Sequence, residues 1–290
     1  MRENIWKYVS AVLALLLALS AVTIVVLYHS TSPYTIPSNG TFRPVEVNTL
    51  NVSFGCNASF QESELEDQIS FLRSLINETG NGTVAIVPIF GIIDEYTALQ
   101  VVPLLRELAS NSSVGGVLLW IESPGGSVGP VMEIYSEVRK LSLVKPVVAY
   151  SGGIMASGGY YIAVGAEKIV ADPLAEVGSI GVIYVHYDLE KNYEMNGIKV
   201  EVFKTGPYKD MGAEWRGLTP EEKKIISGMV NTYFQAFLKA VSEGRGMNMS
   251  TVKKFATGRT WFAENVTGTL VDETGGIDTA ISVLESLMNA

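Results

Sequence analysis

Hydrophobic positions change texture at Val84. Downstream of it, short apolar runs alternate with amphipathic stretches. VAIVPIFGII (84–93), GGVLLWIE (115–122), PVVAY (146–150) and KIVAD (168–172) are apolar on consecutive positions, as strands buried on both faces are. Between them, TALQVVPLLRELAS (97–110) and GPVMEIYSEVRKL (129–141) carry the spacing of amphipathic helices, with Pro103 either in the first turn or at a kink. SGGIMASGGYYIAVGA (151–166) reads as a turn running into a helix. IYVHYDL (183–189) and IKVEVF (198–203) read as strands around a short helix at 190–196. Residues 219–243 form a long helix: Thr219 is the N-cap, Pro220 the first helical residue and Glu222 the reciprocal capping partner. Its stripe of Ile225, Ile226, Met229, Val230, Tyr233, Phe234, Phe237 and Val241 is expected in a core or a subunit interface. Strands alternating with helices predict an α/β fold with a largely parallel sheet.

Upstream the pattern differs. VSAVLALLLALSAVTIVVLY (9–28) holds no charge and is long enough, at about 1.5 Å per residue, to cross a hydrocarbon core of roughly 30 Å. Residues 1–28 therefore read as a transmembrane anchor. Arg2 and Lys7 before the run favour a cytoplasmic N-terminus and an extracytoplasmic remainder. Residues 29–60, polar with scattered Pro and Gly, read as a spacer. Within 61–83, Leu65, Ile69, Leu72 and Ile76 fall at helical spacing ahead of a connection, and 84–290 is the main domain. Asn-X-Ser/Thr triplets at Asn39, Asn51, Asn57, Asn77, Asn81, Asn111, Asn248 and Asn265 agree with the outside placement.

Charge and rare residues narrow the classes. The net charge of −9, with no basic stripe, argues against nucleic acid as a partner. Cys56 is the only cysteine, so neither an intrachain disulfide nor a cysteine-built zinc site can form. His29 and His186 are the only histidines, and a metal centre would need carboxylates alone; no metal or cofactor is expected.

Candidate chemistry centres on MASGGYY (155–161). A serine opening a helix sits beside unpaired N–H groups and the positive end of the helix dipole, and glycines at 158 and 159 let a substrate approach. A hydroxyl there can attack a carbonyl whose oxyanion finds donors waiting. The same residues are also compatible with a plain turn. SPGGS (123–127) follows a strand and precedes a helix, where α/β sheets place ligands, and its amides offer further donors. The base is open on these grounds: His186 in VIYVHYD, or Lys204 or Lys209 in FKTGPYKD.

ESPGGSV, MASGGYYIA, GSIGV, KTGPYKD and GRTWFAENVTGTLVDETGG occur in this order over about residues 84–285. As a set they resemble the signal peptide peptidase A family, membrane-anchored serine–lysine proteases of the Clp/crotonase-like fold. The resemblance implies Ser157 as nucleophile, Lys209 as general base, Ser179 as the group that orients the lysine, and the backbone amides of Gly126 and Gly158 as oxyanion donors. It implies an extracytoplasmic, membrane-anchored endopeptidase acting on remnant signal peptides or other apolar membrane-proximal peptides. It also implies a homo-oligomer whose protomers together complete the substrate groove. Asp210, where serine is frequent, and Glu122, where Asn or Asp is frequent, depart from the family pattern. The rival readings are a crotonase-like acyl-CoA enzyme and an inactive membrane scaffold of the same fold.

Overall fold

The consecutive apolar runs become strands because each residue finds a hydrophobic neighbour on whichever face it points to. In the computed structural model, which describes residues 45–47, 50–52 and 83–290, the strands are β1 (Val45–Val47), β2 (Leu50–Val52), β3 (Thr83–Ile93), β4 (Val114–Gly126), β5 (Val147–Ser151), β6 (Ile154–Ala156), β7 (Lys168–Ala171), β8 (Glu176–Gly178), β9 (Thr260–Phe262) and β10 (Glu273–Thr274). The helices are α1 (Glu95–Ser110), α2 (Val128–Leu141), α3 (Gly158–Ala163), α4 (Glu190–Met195), α5 (Pro220–Gly244), α6 (Met249–Phe255) and α7 (Ile277–Met288). The run 9–28, the stretch 61–77 and most of the spacer lie outside the described residues. β1 and β2 fall within that spacer.

The main sheet has the order β1-β2-β3-β4-β5-β7-β10, parallel except for the β1–β2 pair. Residues alternate between its two faces. Ala85, Val87 and Ile89 of β3 and Val117, Leu119 and Ile121 of β4 join one core with α1, α2, α3 and part of α5. Val84, Ile86, Leu118 and Val148 join a second core, covered by Ile277, Ala280, Ile281 and Leu284 of α7. That helix lies so close that a Cβ on Gly116 would stand 2.9 Å from both Leu284 and Met288.

β4 belongs to two sheets. It pairs with β3 along its whole length and with β5 in its first half; at Ser123 it meets β6 across the single pair Ser123↔Met155. β6 continues into β8, and β8 pairs antiparallel with β9. SPGG is thus the end of a long strand and not a free loop, and the turn expected at 151–157 contains a short strand of its own.

Helix ends follow the expected chemistry where capping residues were visible. Thr219 and Glu222 form the reciprocal box at 3.2 and 2.8 Å, with Pro220 in the first turn. Asp94 caps α1 through Thr97 N at 2.9 Å, and Pro103 sits inside that helix. The α5 stripe divides between two tasks. Val241 enters the core, Ile226 and Val230 face a cleft, and Phe234 and Phe237 touch both.

Two expected strands are corrected. IYVHYDL and IKVEVF pair with no strand among the described residues, and Ile183, Met195 and Phe203 are 85%, 87% and 92% exposed. Alternation along a strand specifies two faces but not a partner. No helix among the described residues is long and apolar enough to cross a membrane, and the run 9–28 expected to do so lies outside them.

Candidate active site

Ser157 lies between β6 and α3, with φ +50° and ψ −118°. A side chain at positive φ costs on the order of 1–3 kcal/mol and survives only where the surroundings hold it. Here the holding contacts are in view. Ser157 N donates to Gly178 O at 2.8 Å, and Tyr161 N donates to Ser157 O at 2.8 Å, closing the first turn of α3. The hydroxyl does not cap the helix and makes no hydrogen bond among the described residues. It is left half-buried, on the wall of a cleft of about 990 Å³.

The SPGG end of β4 stands directly against this turn. A Cβ on Gly125, whose φ is +108°, would lie 2.8 Å from both Gly158 N and Ser157 Cβ. One on Gly158 would lie 2.5 Å from Val131 Cγ2 and 3.2 Å from Gly126 N. The two motifs therefore meet backbone to backbone, and bulkier residues would separate them. Ser127 N donates to Ile93 O at 2.8 Å, so the ladder leaves the Gly126 amide facing away from β3. The Gly158 amide, at the start of α3, has no acceptor among the described residues. Gly126, Ser157 and Gly158 line the cleft together. Ser123, fully buried, fixes the loop between them by donating to Gly91 O at 2.6 Å and accepting from Gly125 N at 3.1 Å.

Ser179 also lines the cleft, at a second strained position with φ +49°. Its hydroxyl donates to Gly258 O at 3.0 Å, which leaves oxygen lone pairs to accept a donor. The rest of the lining includes the apolar Val131, Tyr161, Ile226, Val230, Phe234 and Phe237, with Ser227 and Asn231 among them.

Lys209 is not brought into this cleft. It is exposed, has no hydrogen bond or ion pair among the described residues, and does not line the cleft with Ser157. The other candidate bases have different partners. Lys204 donates to Asp210 at 2.6 Å and to Pro207 O at 3.2 Å, and His186 Nε2 donates to Arg216 O at 3.2 Å.

Flanking Lys209 is an ion cluster that sequence reasoning missed except for the cap. Arg216 reaches Asp210 at 2.8 Å and Glu222 at 2.6 Å, and Lys204 closes on Asp210. Asp210 thus ties the loop that bears Lys209 to the first turn of α5. The Arg216 bond, then the Thr219 amide, hold the Glu222 carboxyl down at about 2 from an ordinary value of 4.5. Arg216 and then Lys204 hold Asp210 low as well. Depressed carboxyl pKa values stabilise the fold above the unfolded-state value and lose that effect as pH falls through the folded one. Arg216→Met is expected to lower the neutral-pH melting temperature by several degrees. Its deficit against the wild type should narrow as pH falls from 4.5 towards 2 in thermal unfolding.

The model for Peptidase family S49 matches residues 139–290, and that for Clp protease matches residues 82–177. A protein of Methanocaldococcus jannaschii named as a protease is 39% identical over 64% of this chain and 60% of its own length. The chloroplastic serine protease SPPA of Arabidopsis thaliana is 30% identical over 77% of this chain, but only 33% of its own length. A protein of Enterococcus faecium named as a signal peptide peptidase SppA is 30% identical over 81% of this chain and 70% of its own length. The chain spans less than two thirds of the first two of these relatives. One family model covers more than half of the chain and the SppA relatives cover most of it, so the chain belongs to peptidase family S49, the signal peptide peptidase A family.

Proposed function

We propose that this protein is a serine endopeptidase with Ser157 as nucleophile and Lys209 as general base. The observation that carries the reading is the strained, uncapped Ser157 hydroxyl beside the Gly126 and Gly158 amides at the head of an apolar cleft. In the proposed mechanism neutral Lys209 takes the Ser157 proton as Oγ attacks the scissile carbonyl. The tetrahedral oxyanion is held by the two glycine amides. Lysine can serve serine in this way once desolvation removes its proton. The lysine ammonium then protonates the leaving amine, and a water activated by the same lysine hydrolyses the acyl-enzyme. Ser179 lines the cleft beside Ser157, and its free lone pairs suit it to receive and orient the lysine amine.

Because Lys209 is exposed and away from its own chain's cleft, a neighbouring copy is proposed to supply it. The exposed apolar residues between Ile183 and Phe203, on the segment that leads to Lys209, favour such an assembly. An apolar cleft wall suits the apolar segments left by signal peptides, and anchoring through residues 9–28 would hold the site near them. The test is a fluorophosphonate probe on the full chain, with the modified peptide read by mass spectrometry. Label on the peptide holding Ser157, lost in Ser157→Ala, is the expected result. Absence of label on a folded wild type would leave the inactive scaffold as the better reading.

A further inference from the structure

The nucleophile turn and the Gly126 amide sit on two strands that share almost no ladder. β4 carries Gly126 and β6 leads into Ser157, yet the register between them is the single pair Ser123↔Met155. One pair cannot fix both the distance and the angle between two strand ends. Something else must hold Ser157 and Gly158 against Gly126.

Glu122, one residue before that pair, supplies the missing constraint. Its Oε1 accepts from Gly152 N at 2.6 Å, and its Oε2 accepts from Gly153 N at 3.1 Å and Ile154 N at 3.0 Å. The indole of Trp120 donates to Oε1 at 3.1 Å. Three successive amides of the turn that enters β6 thus converge on one carboxylate of β4. All four partners are donors, so an ionised carboxylate, which only accepts, matches the site and an amide does not. Such charge-assisted bonds are roughly twice as strong as neutral ones.

We infer that Glu122 is a positioning residue for catalysis: it clamps the turn before Ser157 to the strand that bears Gly126, and so sets the spacing of nucleophile and oxyanion donors. This rests on the reading of Ser157 as the nucleophile. Misplacement of reacting groups by about 1 Å is enough to cost on the order of a hundredfold in rate, with little change in binding.

The test uses the full-length protein, with rates taken well below the melting midpoint of each variant. Glu122→Gln keeps the shape but turns an NH2 group on donors. It is expected to lower kcat by roughly tenfold to a hundredfold, with KM within about twofold. Fluorophosphonate labelling of Ser157 should slow by the same factor, since that reaction needs the same turn but no peptide substrate. Trp120→Phe removes one donor, leaves the three backbone bonds, and should keep kcat near the wild-type value. Glu122→Gln with wild-type kcat and labelling rate would overturn the inference. So would a fall in melting temperature with unchanged labelling, since that is what a purely structural contact would do. A wild type that takes no label sinks the nucleophile reading, and the role of Glu122 with it.

Discussion

Ser157→Ala and Lys209→Ala are each expected to abolish peptide cleavage, by a factor on the order of 10⁴ or more, while both proteins stay folded. Neither side chain holds the fold: the Ser157 hydroxyl makes no hydrogen bond among the described residues, and Lys209 makes neither a hydrogen bond nor an ion pair. Combining the two substitutions should add little, because groups that act as one unit lose their effect together. Mixing the two inactive proteins carries more information. If the lysine comes from a neighbouring copy, random assembly pairs an intact serine with an intact lysine at about one site in four. Cleavage should therefore return to roughly a quarter of the wild-type rate after the mixture is dissociated and reassembled. Reassembled mixtures without activity would place both groups in one chain. Lys204→Ala should retain far more activity, since Lys204 is occupied with Asp210.

Gly126→Ala should be nearly as damaging, for a different reason. The new Cβ would lie 1.9 Å from Ile93 O and 2.6 Å from Ile93 N. Those are backbone atoms of a paired strand and cannot rotate aside. The end of the β3–β4 ladder must open, and the Ser127 N to Ile93 O bond with it. A fall in kcat of about 10²–10³ is expected from the displaced oxyanion donor, with a lower melting temperature from the overpacking. Gly158→Ala meets chiefly a side chain, Val131 Cγ2 at 2.5 Å, which can move, with the Gly126 amide a milder contact at 3.2 Å. Gly158→Ala paired with Val131→Ala should regain part of the lost rate, whereas no neighbouring truncation should rescue Gly126→Ala. Labelling rate and thermal unfolding, measured on all three variants, check this contrast. Unchanged labelling in Gly126→Ala would remove its amide from the proposed oxyanion site.

What the sequence made legible was local chemistry. Consecutive apolar runs marked the central strands because both faces of a parallel sheet are covered, and Thr219, Pro220 and Glu222 marked a helix start that the structure reproduces. The glycines of SPGG and MASGG were compatible with plain turns, and only the family resemblance implied that the two meet, as their backbones do. Long-range contacts with no side-chain signature were not legible. Glu122 binds backbone amides about thirty positions away, and any residue but proline supplies an amide. Arg216 joins Asp210 to Glu222 across six residues on either side, but nothing in a run of charges says which of them will be buried together. IYVHYDL and IKVEVF carry the alternation of strands and pair with none among the described residues. The capacity to pair is written in a segment; the partner is not.

The two strained serines bear on how heat-resistant this protein can become. Positions 157 and 179 both hold a left-handed backbone that glycine adopts freely and serine does not. Elsewhere the chain does place glycine at such bends, at 91, 125, 178 and 258 among others. At these two it keeps a hydroxyl and gives up the comfort. Substitutions that raise thermal tolerance are therefore plentiful across the fold but opposed at this turn, where the residue best for the backbone removes the oxygen that faces the cleft. Thermostability and chemistry pull in opposite directions at single, identifiable atoms.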